Sequence, residues 1–169
     1  MAKNENLQSL YIDQLRDLYS AEQQILDALP KMVKQSAHRE LQNALEHHRE
    51  VTEHQVDRLK RIFGDLDESA RGETCEAMLG IIKEGKKEMD QWHDHDILDA
   101  AIIASAQRVE HYEMAGYGTA RTLAQCLGLN QHADLLQQTL DEEKEADQTL
   151  SNIALSVVNT DAMRAESRA

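Results

Sequence analysis

Two carboxylates lie in the middle of a long apolar helical pattern, and this feature restricts the possible folds more than any other. The segment 96–127 predicts one helix, because apolar residues recur along it at helical spacing. Glu113 falls on the apolar stripe and Glu110 on its edge, one helical turn away. A buried carboxylate is unfavourable unless a partner pairs with it or neutralises it. A helical bundle that buries this stripe therefore needs either a counter-charge or protonated carboxyl groups at its centre.

The composition favours helices along the whole chain. The 169 residues include one Pro and seven Gly, and Ala, Leu, Glu and Gln are abundant. These four are not strand formers, and little β-branched material is available for a sheet. A chain of this length suits one domain with a substantial core. We therefore predict an all-α fold and a single domain over residues 1–169.

Charge and cysteine content restrict the partners and the compartment. A formal net charge of -13 repels phosphate backbones and anionic membranes, so neither nucleic acid nor a membrane is an expected partner. Cys75 and Cys126 belong to no Cys-x-x-Cys motif and are predicted to be small core residues in a reducing compartment. The N-terminal residues form no apolar signal region, and the longest apolar run, Ala100–Ala104, is too short for a membrane span. We expect a cytoplasmic protein.

The periodicity predicts four long helices and one shorter helix. Gly64 and Gly128 are placed to end the second and third long helices, and Pro30 is expected to kink or end the first. The residues from about 159 to 169 are polar and are expected to form a tail. The approximate predicted bounds are 4–35, 38–63, 74–92 for the short helix, 96–127 and 130–158.

The order of these helices predicts their connectivity. The short helix lies between the second and third long helices, so no tight turn can join those two. One long crossover is typical of ferritin-like bundles. We predict a ferritin-like four-helix bundle with one long crossover that carries a short fifth helix.

Polar candidates for a metal site lie near the middle of all four long helices. In a bundle of helices of similar length, the middle residues lie at the same level along the bundle axis, so inward-facing side chains at those positions would converge. Each residue alone also has an ordinary explanation: a solvated or ion-paired carboxylate or, for His48, a hydrogen-bonded core histidine, although Glu113 lies too near the centre of its stripe to be readily solvated. A metal site is favoured because the candidates on all four helices share the face of the apolar residues and lie at the same level along the bundle. The candidate ligands are Glu22, His48, Glu110, Glu113, Glu143 and Asp147.

The ligand on the second long helix has alternatives. A Glu-x-x-His pair is the usual contribution of a helix to such a site, and Glu50 and Glu53 are the carboxylates available near His54. These residues point away from the apolar stripe of their helix, whereas His48 follows its phase. We favour His48 and keep Glu50 and Glu53 as alternatives.

The ligand types indicate the metal. Burying the five candidate carboxylates without a counter-charge would cost several kcal/mol for each unpaired group, and two divalent ions would offset four of the five charges. Oxygen ligands with one imidazole suit iron or manganese. Zinc prefers fewer ligands and, in structural sites, sulfur. We expect two metal ions, iron in the first instance and manganese as the alternative.

Several stretches resemble the YciE/YciF family of bacterial ferritin-like stress proteins, and YciF more than YciE. They are DLYSAEQQ (17–24), HREVT (48–52), AAIIASAQRVEHYEMAGYGT (100–119) and TLDEEKEAD (139–147). The resemblance implies a ferritin-like fold, a dimer and a role in stress responses. More distantly, the ligand pattern resembles the di-iron site of rubrerythrin, although Asp147 stands where a His is usual and no rubredoxin-like cysteine module is present.

Together these observations predict a homodimer with a buried dinuclear iron site. Glu113 and Glu143 are expected to bridge or share the ions, with the other candidates as terminal ligands, and Tyr112 and Tyr117 are candidates to hydrogen-bond a carboxylate. The expected chemistry is oxidation of Fe(II) by oxygen or peroxide. The alternatives are a stress-induced structural or interaction protein without turnover, and a metal-binding protein without redox chemistry. A second protein of the same family is a further candidate partner.

Overall fold

A computed structural model describes residues 5–166, and helices occupy most of this range. No residue within it forms a strand, so the all-α prediction is confirmed. No helix in this part of the chain combines the length and the apolar character needed to cross a membrane. The helices are α1 (Leu7–Gln35), α2 (Arg39–Asp65), α3 (Glu76–Met89), α4 (His95–Cys126), α5 (Asn130–Ile153) and α6 (Asn159–Glu166), with a π-helical turn (Ala154–Val158) before the last.

Four of these helices form the bundle. α1 packs against α2 and α4, and α5 packs against α4 and α2. The chain crosses over between α2 and α4, and this crossover carries α3, which packs against α4 and α1. The predicted ferritin-like bundle with one long crossover is therefore confirmed.

Side-chain caps and one left-handed glycine set the helix ends. Asn6 accepts a 2.8 Å hydrogen bond from the amide of Ser9 at the start of α1. Gly128 adopts a φ of 74° and ends α4 as predicted. The prediction for Gly64 was wrong, since α2 continues to Asp65 and the residue with positive φ is Asp67. The helix extends two residues further than predicted, and Leu66, which follows it, packs against the core, a contact that local turn propensity does not reveal.

The end of the chain and one cysteine also differ from the predictions. The expected tail is helical over Asn159–Glu166, because the π-helical turn buries Val158 and lets α6 pack against α4. Residues 167–169 of the predicted tail lie outside the described range. Cys75 is buried as expected, but Cys126 is exposed in the last turn of α4.

The apolar interior is divided into two cores. The α3-side core lies at the end of the bundle covered by the crossover helix and includes Ile25, Leu29, Leu45, Met78, Ile102 and Leu150. The Tyr11-side core lies at the other end and includes Tyr11, Leu15, Leu18, Leu59, Tyr117 and Leu136. Along α1, α2, α4 and α5 alike, the chain passes from one core to the other through a few buried polar residues. These polar residues form one layer across the middle of the bundle.

Candidate metal centre

Each helix of the bundle contributes polar side chains to this layer. Glu22 comes from α1, His48 from α2, Glu110 and Glu113 from α4, and Glu143 from α5. All five residues are buried, and Glu22, Glu113 and Glu143 have no exposed surface at all. They share the phase of the apolar residues on their own helices. A helix that buries its apolar stripe must therefore bury them too.

Four of these residues form a compact group. One ligand atom from each of His48, Glu110, Glu113 and Glu143 can be chosen so that all four atoms lie within 4.8 Å of one another. His48 Nε2 is 3.5 Å from Glu110 Oε1. Metal–nitrogen and metal–oxygen bonds are about 2 Å long, so two ligands on opposite sides of an ion lie about 4 Å apart. The group therefore has the dimensions of a metal site.

Glu22 joins this group from α1. Tyr117 donates a short hydrogen bond to Glu22 Oε1, which confirms the predicted contact between this tyrosine and a carboxylate. The charge of Glu22 interacts with those of Glu113 and Glu143. The buried layer thus contains four carboxyl groups and one imidazole.

Tyr112 also hydrogen-bonds a carboxylate, as predicted, but this carboxylate lies outside the buried layer. Its hydroxyl donates a 2.5 Å hydrogen bond to Asp17 Oδ2 and lies 3.0 Å from Cys75 Sγ. Because consecutive helical residues point about 100° apart, Tyr112 cannot share the direction of the adjacent Glu113. It ties α1 to the start of the crossover helix instead.

Gln55 belongs to the layer, although it was not among the site residues predicted from the sequence. It is fully buried on α2, and its Nε2 donates a short hydrogen bond to Glu143 Oε1. The available signal was phase, since Gln55 lies two turns after His48 on the same face of the helix. Beside it, Arg58 makes a bidentate ion pair with Glu142, with distances of 2.5 and 2.7 Å, and so joins α2 to α5.

The structure separates the remaining candidates from the group. Asp147 is 23% exposed, and its Oδ1 accepts a 3.0 Å hydrogen bond from Gln107 Nε2 and lies 3.3 Å from His111 Nε2. Glu50 and Glu53 are exposed on the outer face of α2, in the direction that the phase of the apolar stripe indicates. His48 is the side chain of α2 that faces Glu110.

Burial and mutual repulsion disfavour negative charge on these carboxyl groups. Burial raises the pKa values of Glu22, Glu110 and Glu113 well above the ordinary 4.5, and the neighbouring Glu143 raises all three further. Burial lowers the pKa of His48, which favours the neutral imidazole that binds metals. A bound cation would reverse the effect on the carboxyl groups, because it stabilises their charged form.

The donor atoms of the group could hold a metal ion. Buried polar atoms are normally hydrogen-bonded, and atoms that are not so bonded need an explanation. The four carboxylates together with a neutral His48 would balance the charge of two divalent ions. Within the described residues, the atoms of this group that lack a hydrogen-bond partner are Glu22 Oε2, His48 Nε2, Glu110 Oε2, both carboxyl oxygens of Glu113 and Glu143 Oε2.

Two cavities reach His48 and Glu110 from different sides. The larger, about 450 Å³, lies between α1, α3 and α4 and has mostly apolar walls. The smaller, about 280 Å³, lies between α2 and α5, and its lining includes His47, Glu142 and Glu145. The group is therefore approached through one apolar cavity and one acidic cavity.

Comparison with known proteins gives a family and close relatives. Residues 6–163 match the family described as "Domain of unknown function (DUF892)". Protein YciF of Escherichia coli K12 is 38% identical over 157 residues, which cover 92% of this chain and 95% of that protein. The crystal structure of the E. coli stress protein YciF superposes with a TM-score of 0.88 at 37% identity, over 92% of this chain and 98% of that chain.

Two further solved structures share the fold. YcfI of Rhodopseudomonas palustris, for which a structural role has been suggested, has a TM-score of 0.86 and 40% identity, over 89% of this chain and 98% of that chain. A protein of Xanthomonas campestris has a TM-score of 0.75 at 19% identity, over 95% of this chain and 99% of that chain. At this lower identity the likeness supports the fold alone.

Proposed function

Because this chain belongs to the DUF892 family and is a relative of the stress protein YciF, we propose that it acts in a stress response by binding two metal ions, iron in the first instance. One observation carries the proposal: the ligand atoms of His48, Glu110, Glu113 and Glu143 lie within 4.8 Å of one another in the buried layer. Carboxylates packed this closely in an apolar interior are unfavourable unless cations neutralise them.

The contacts suggest a role for each ligand. Glu113 has two unpartnered oxygens and a central position, so we assign it and Glu143 as the carboxylates that the two ions share. Glu22, Glu110 and His48 are then terminal ligands. To join them, Asp147 would have to release Gln107 and His111, and we propose that it supports the centre electrostatically from outside.

Two neighbouring side chains would orient these ligands. Tyr117 holds one oxygen of Glu22 and Gln55 holds one oxygen of Glu143, which leaves the second oxygen of each carboxylate free to bind an ion. Such outer hydrogen bonds fix the direction of a ligand and commonly affect metal affinity as strongly as some ligands do.

We propose that Fe(II) is the substrate and that oxygen or peroxide is the oxidant. Two Fe(II) ions would together supply the two electrons needed to reduce one peroxide to water. An anionic pocket of low dielectric constant favours the more highly charged Fe(III), so the buried carboxylates would make oxidation easier than in water. A reducing cytoplasm, our proposed location, would provide the substrate as Fe(II).

Metal titration tests the proposal. We expect wild-type protein to bind about two Fe(II) or Mn(II) ions per chain under anaerobic conditions, measured by equilibrium dialysis. Glu113→Ala should lose most of this binding, whereas Glu53→Ala, which removes an exposed carboxylate of α2, should retain it. Wild-type protein that binds no more metal than Glu113→Ala would contradict the proposal.

A structural protein without turnover is the second candidate function. The raised pKa values of Glu22, Glu110 and Glu113 would let the layer persist in a protonated form without any ion. The structural role suggested for the related YcfI points in the same direction. Stopped-flow absorbance after aerobic addition of Fe(II) separates the candidates. Protein that binds two irons yet oxidises them no faster than buffer would keep the metal site and exclude the oxidase.

We also propose a homodimer that uses the crossover, with a relative from the same family as the alternative partner. Leu79 on α3 and Trp92 just after it are 45% and 43% exposed, which places two large apolar side chains on or beside the crossover helix. Pairing the outer faces of two crossover helices would cover both residues. Light scattering that gives a monomer mass at micromolar concentration would contradict this proposal.

A further inference from the structure

We propose that the larger cavity, between α1, α3 and α4, binds a fatty-acid-like molecule whose alkyl chain lies inside and whose carboxylate lies at the mouth. The volume of about 450 Å³ falls within the range of about 300–1,000 Å³ found for small-molecule sites. Such sites have mainly apolar walls with a few polar groups, as this cavity has. The proposal is independent of the metal-binding function.

The walls of the cavity come from three helices. α1 contributes Leu29 and Met32, α3 contributes Ile82 and Met89, and α4 contributes Val109. These side chains contact one another around the cavity without filling it.

The mouth of the cavity is basic. Lys31, Lys34 and Lys86 line it, with Asp90 as the acidic residue beside them. This local excess of positive charge occurs on a chain whose formal net charge is -13. It favours an anionic ligand and repels a metal cation, for which the smaller cavity with Glu142 and Glu145 is the better route.

The charges also determine the orientation of the ligand. The inner end of the cavity is lined by Glu110 and His48, which are buried, so a carboxylate placed there would lose its hydration without gaining a cationic partner. A carboxylate at the mouth would instead meet the three lysines and remain in contact with water. The alkyl chain then covers the apolar walls of α1 and α4.

Calorimetric titration of metal-free protein with dodecanoate tests this site. We expect saturable binding of about one molecule per chain. Decanoate, which is two methylenes shorter, should bind about fifteenfold more weakly, because each buried methylene contributes about 0.8 kcal/mol. Equal affinity for the two chain lengths would contradict burial of the chain.

Variants at the walls and at the mouth separate the apolar and charged contributions. Ala28→Trp places a large ring in the cavity from a half-buried position of α1 and should abolish binding, whereas Ala115→Trp on the exposed face of α4 should leave it unchanged. The combined change of Lys31, Lys34 and Lys86 to Gln alters only surface residues. It should weaken dodecanoate binding at least tenfold and leave binding of 1-dodecanol unchanged.

Other occupants give different results. A cavity that belongs to a subunit interface would show no dodecanoate binding, and Ala28→Trp would change the mass measured by light scattering. Attraction of the lysines to a membrane would appear as binding to phosphatidylglycerol vesicles that Ala28→Trp leaves intact, with no binding of free dodecanoate. Either result would overturn the proposal. Glu113→Ala should bind dodecanoate as the wild type does, so this test and the metal test can fail separately.

Discussion

The two cores of this bundle are built from the same kinds of residue, but only one of them adjoins the two described cavities. Both described cavities adjoin the α3-side core, where Leu29 and Leu45 line one each. None of the residues that form the Tyr11-side core lines either cavity. That end is closed by Tyr11, whose hydroxyl lies 3.3 Å from Nδ1 of His132, and by the close approach of Gly116 to Leu18.

The difference indicates a division of roles around the polar layer. Tyr117 belongs to the closed core and holds Glu22, so this end provides a rigid support for the ligands. The open end leaves His48 and Glu110 in contact with both cavities. A site that must be both well ordered and accessible requires one close-packed side and one incompletely packed side.

The largest expected effect lies in the layer between the cores. The pKa values of Glu22, Glu110 and Glu113 are raised in the folded protein above the ordinary 4.5. Their contribution to stability is therefore fully present below pH 4.5 and is lost as the pH rises through the raised values. We expect the Tm of the metal-free protein to fall as the pH rises from about 5 to 8, measured by circular dichroism.

Glu113→Gln tests at one position whether protonation of a buried carboxyl group makes the stability depend on pH. Since the amide is neutral at every pH, this variant should have a higher Tm than wild type at pH 8 and a shallower dependence on pH. Glu53→Gln, at an exposed position, is the control. His48 acts in the opposite direction, because the pKa of its imidazole is lowered and its contribution to stability is lost as the pH falls. It is a single group, whereas three carboxyl groups act in the predicted direction. A Tm that rises between pH 5 and 8 would contradict the predicted sign.

Matched truncations compare the packing of the two cores. Leu18 and Leu29 are both on α1 and are only 1% and 3% exposed, but Leu18 lies in the closed core and Leu29 lines the larger cavity. Leu18→Ala should destabilise the protein by about 3–5 kcal/mol and Leu29→Ala by about 2–3 kcal/mol, because Leu29 already lacks neighbours on one side. Urea unfolding measures both changes. Equal losses would show that the cores are equally well packed.

Two glycines of α4 give the smallest expected effects. A Cβ at Gly116 would lie 2.7 Å from Leu18 Cδ2, whereas a Cβ at Gly118 would meet nothing within 4 Å in the described structure. We expect Gly116→Ala to destabilise the protein by about 1 kcal/mol through overpacking, and Gly118→Ala to stabilise it by up to about 1 kcal/mol through helix propensity. Urea unfolding should give opposite signs. A stabilising Gly116→Ala would show that Leu18 can move aside.

Helical phase was sufficient to predict the fold and the inward direction of most candidate ligands. It distinguished His48 from Glu50 and Glu53, because these residues differ by a large rotation about one helix axis. It did not show whether a side chain of α5 points towards the bundle axis or into the contact between α4 and α5. Asp147 follows the phase of Glu143, yet its side chain lies against Gln107 and His111.

The sequence by itself determined the four long helices, the crossover helix, their order and the layer that Glu22, His48, Glu110, Glu113 and Glu143 enter. The physical reason is local: a repeat of 3.6 residues per turn sets the direction of every side chain on its own helix, and the burial of apolar residues buries those that share their face.

Only the tertiary structure decided which of the buried groups meet. It placed Tyr117, and not Tyr112, against a carboxylate of the buried layer, brought Gln55 to Glu143, and left the space between α1, α3 and α4 open. These features depend on the separation and relative rotation of helices that are distant in the sequence. Packing of the whole bundle sets those quantities, and no single helical pattern contains them.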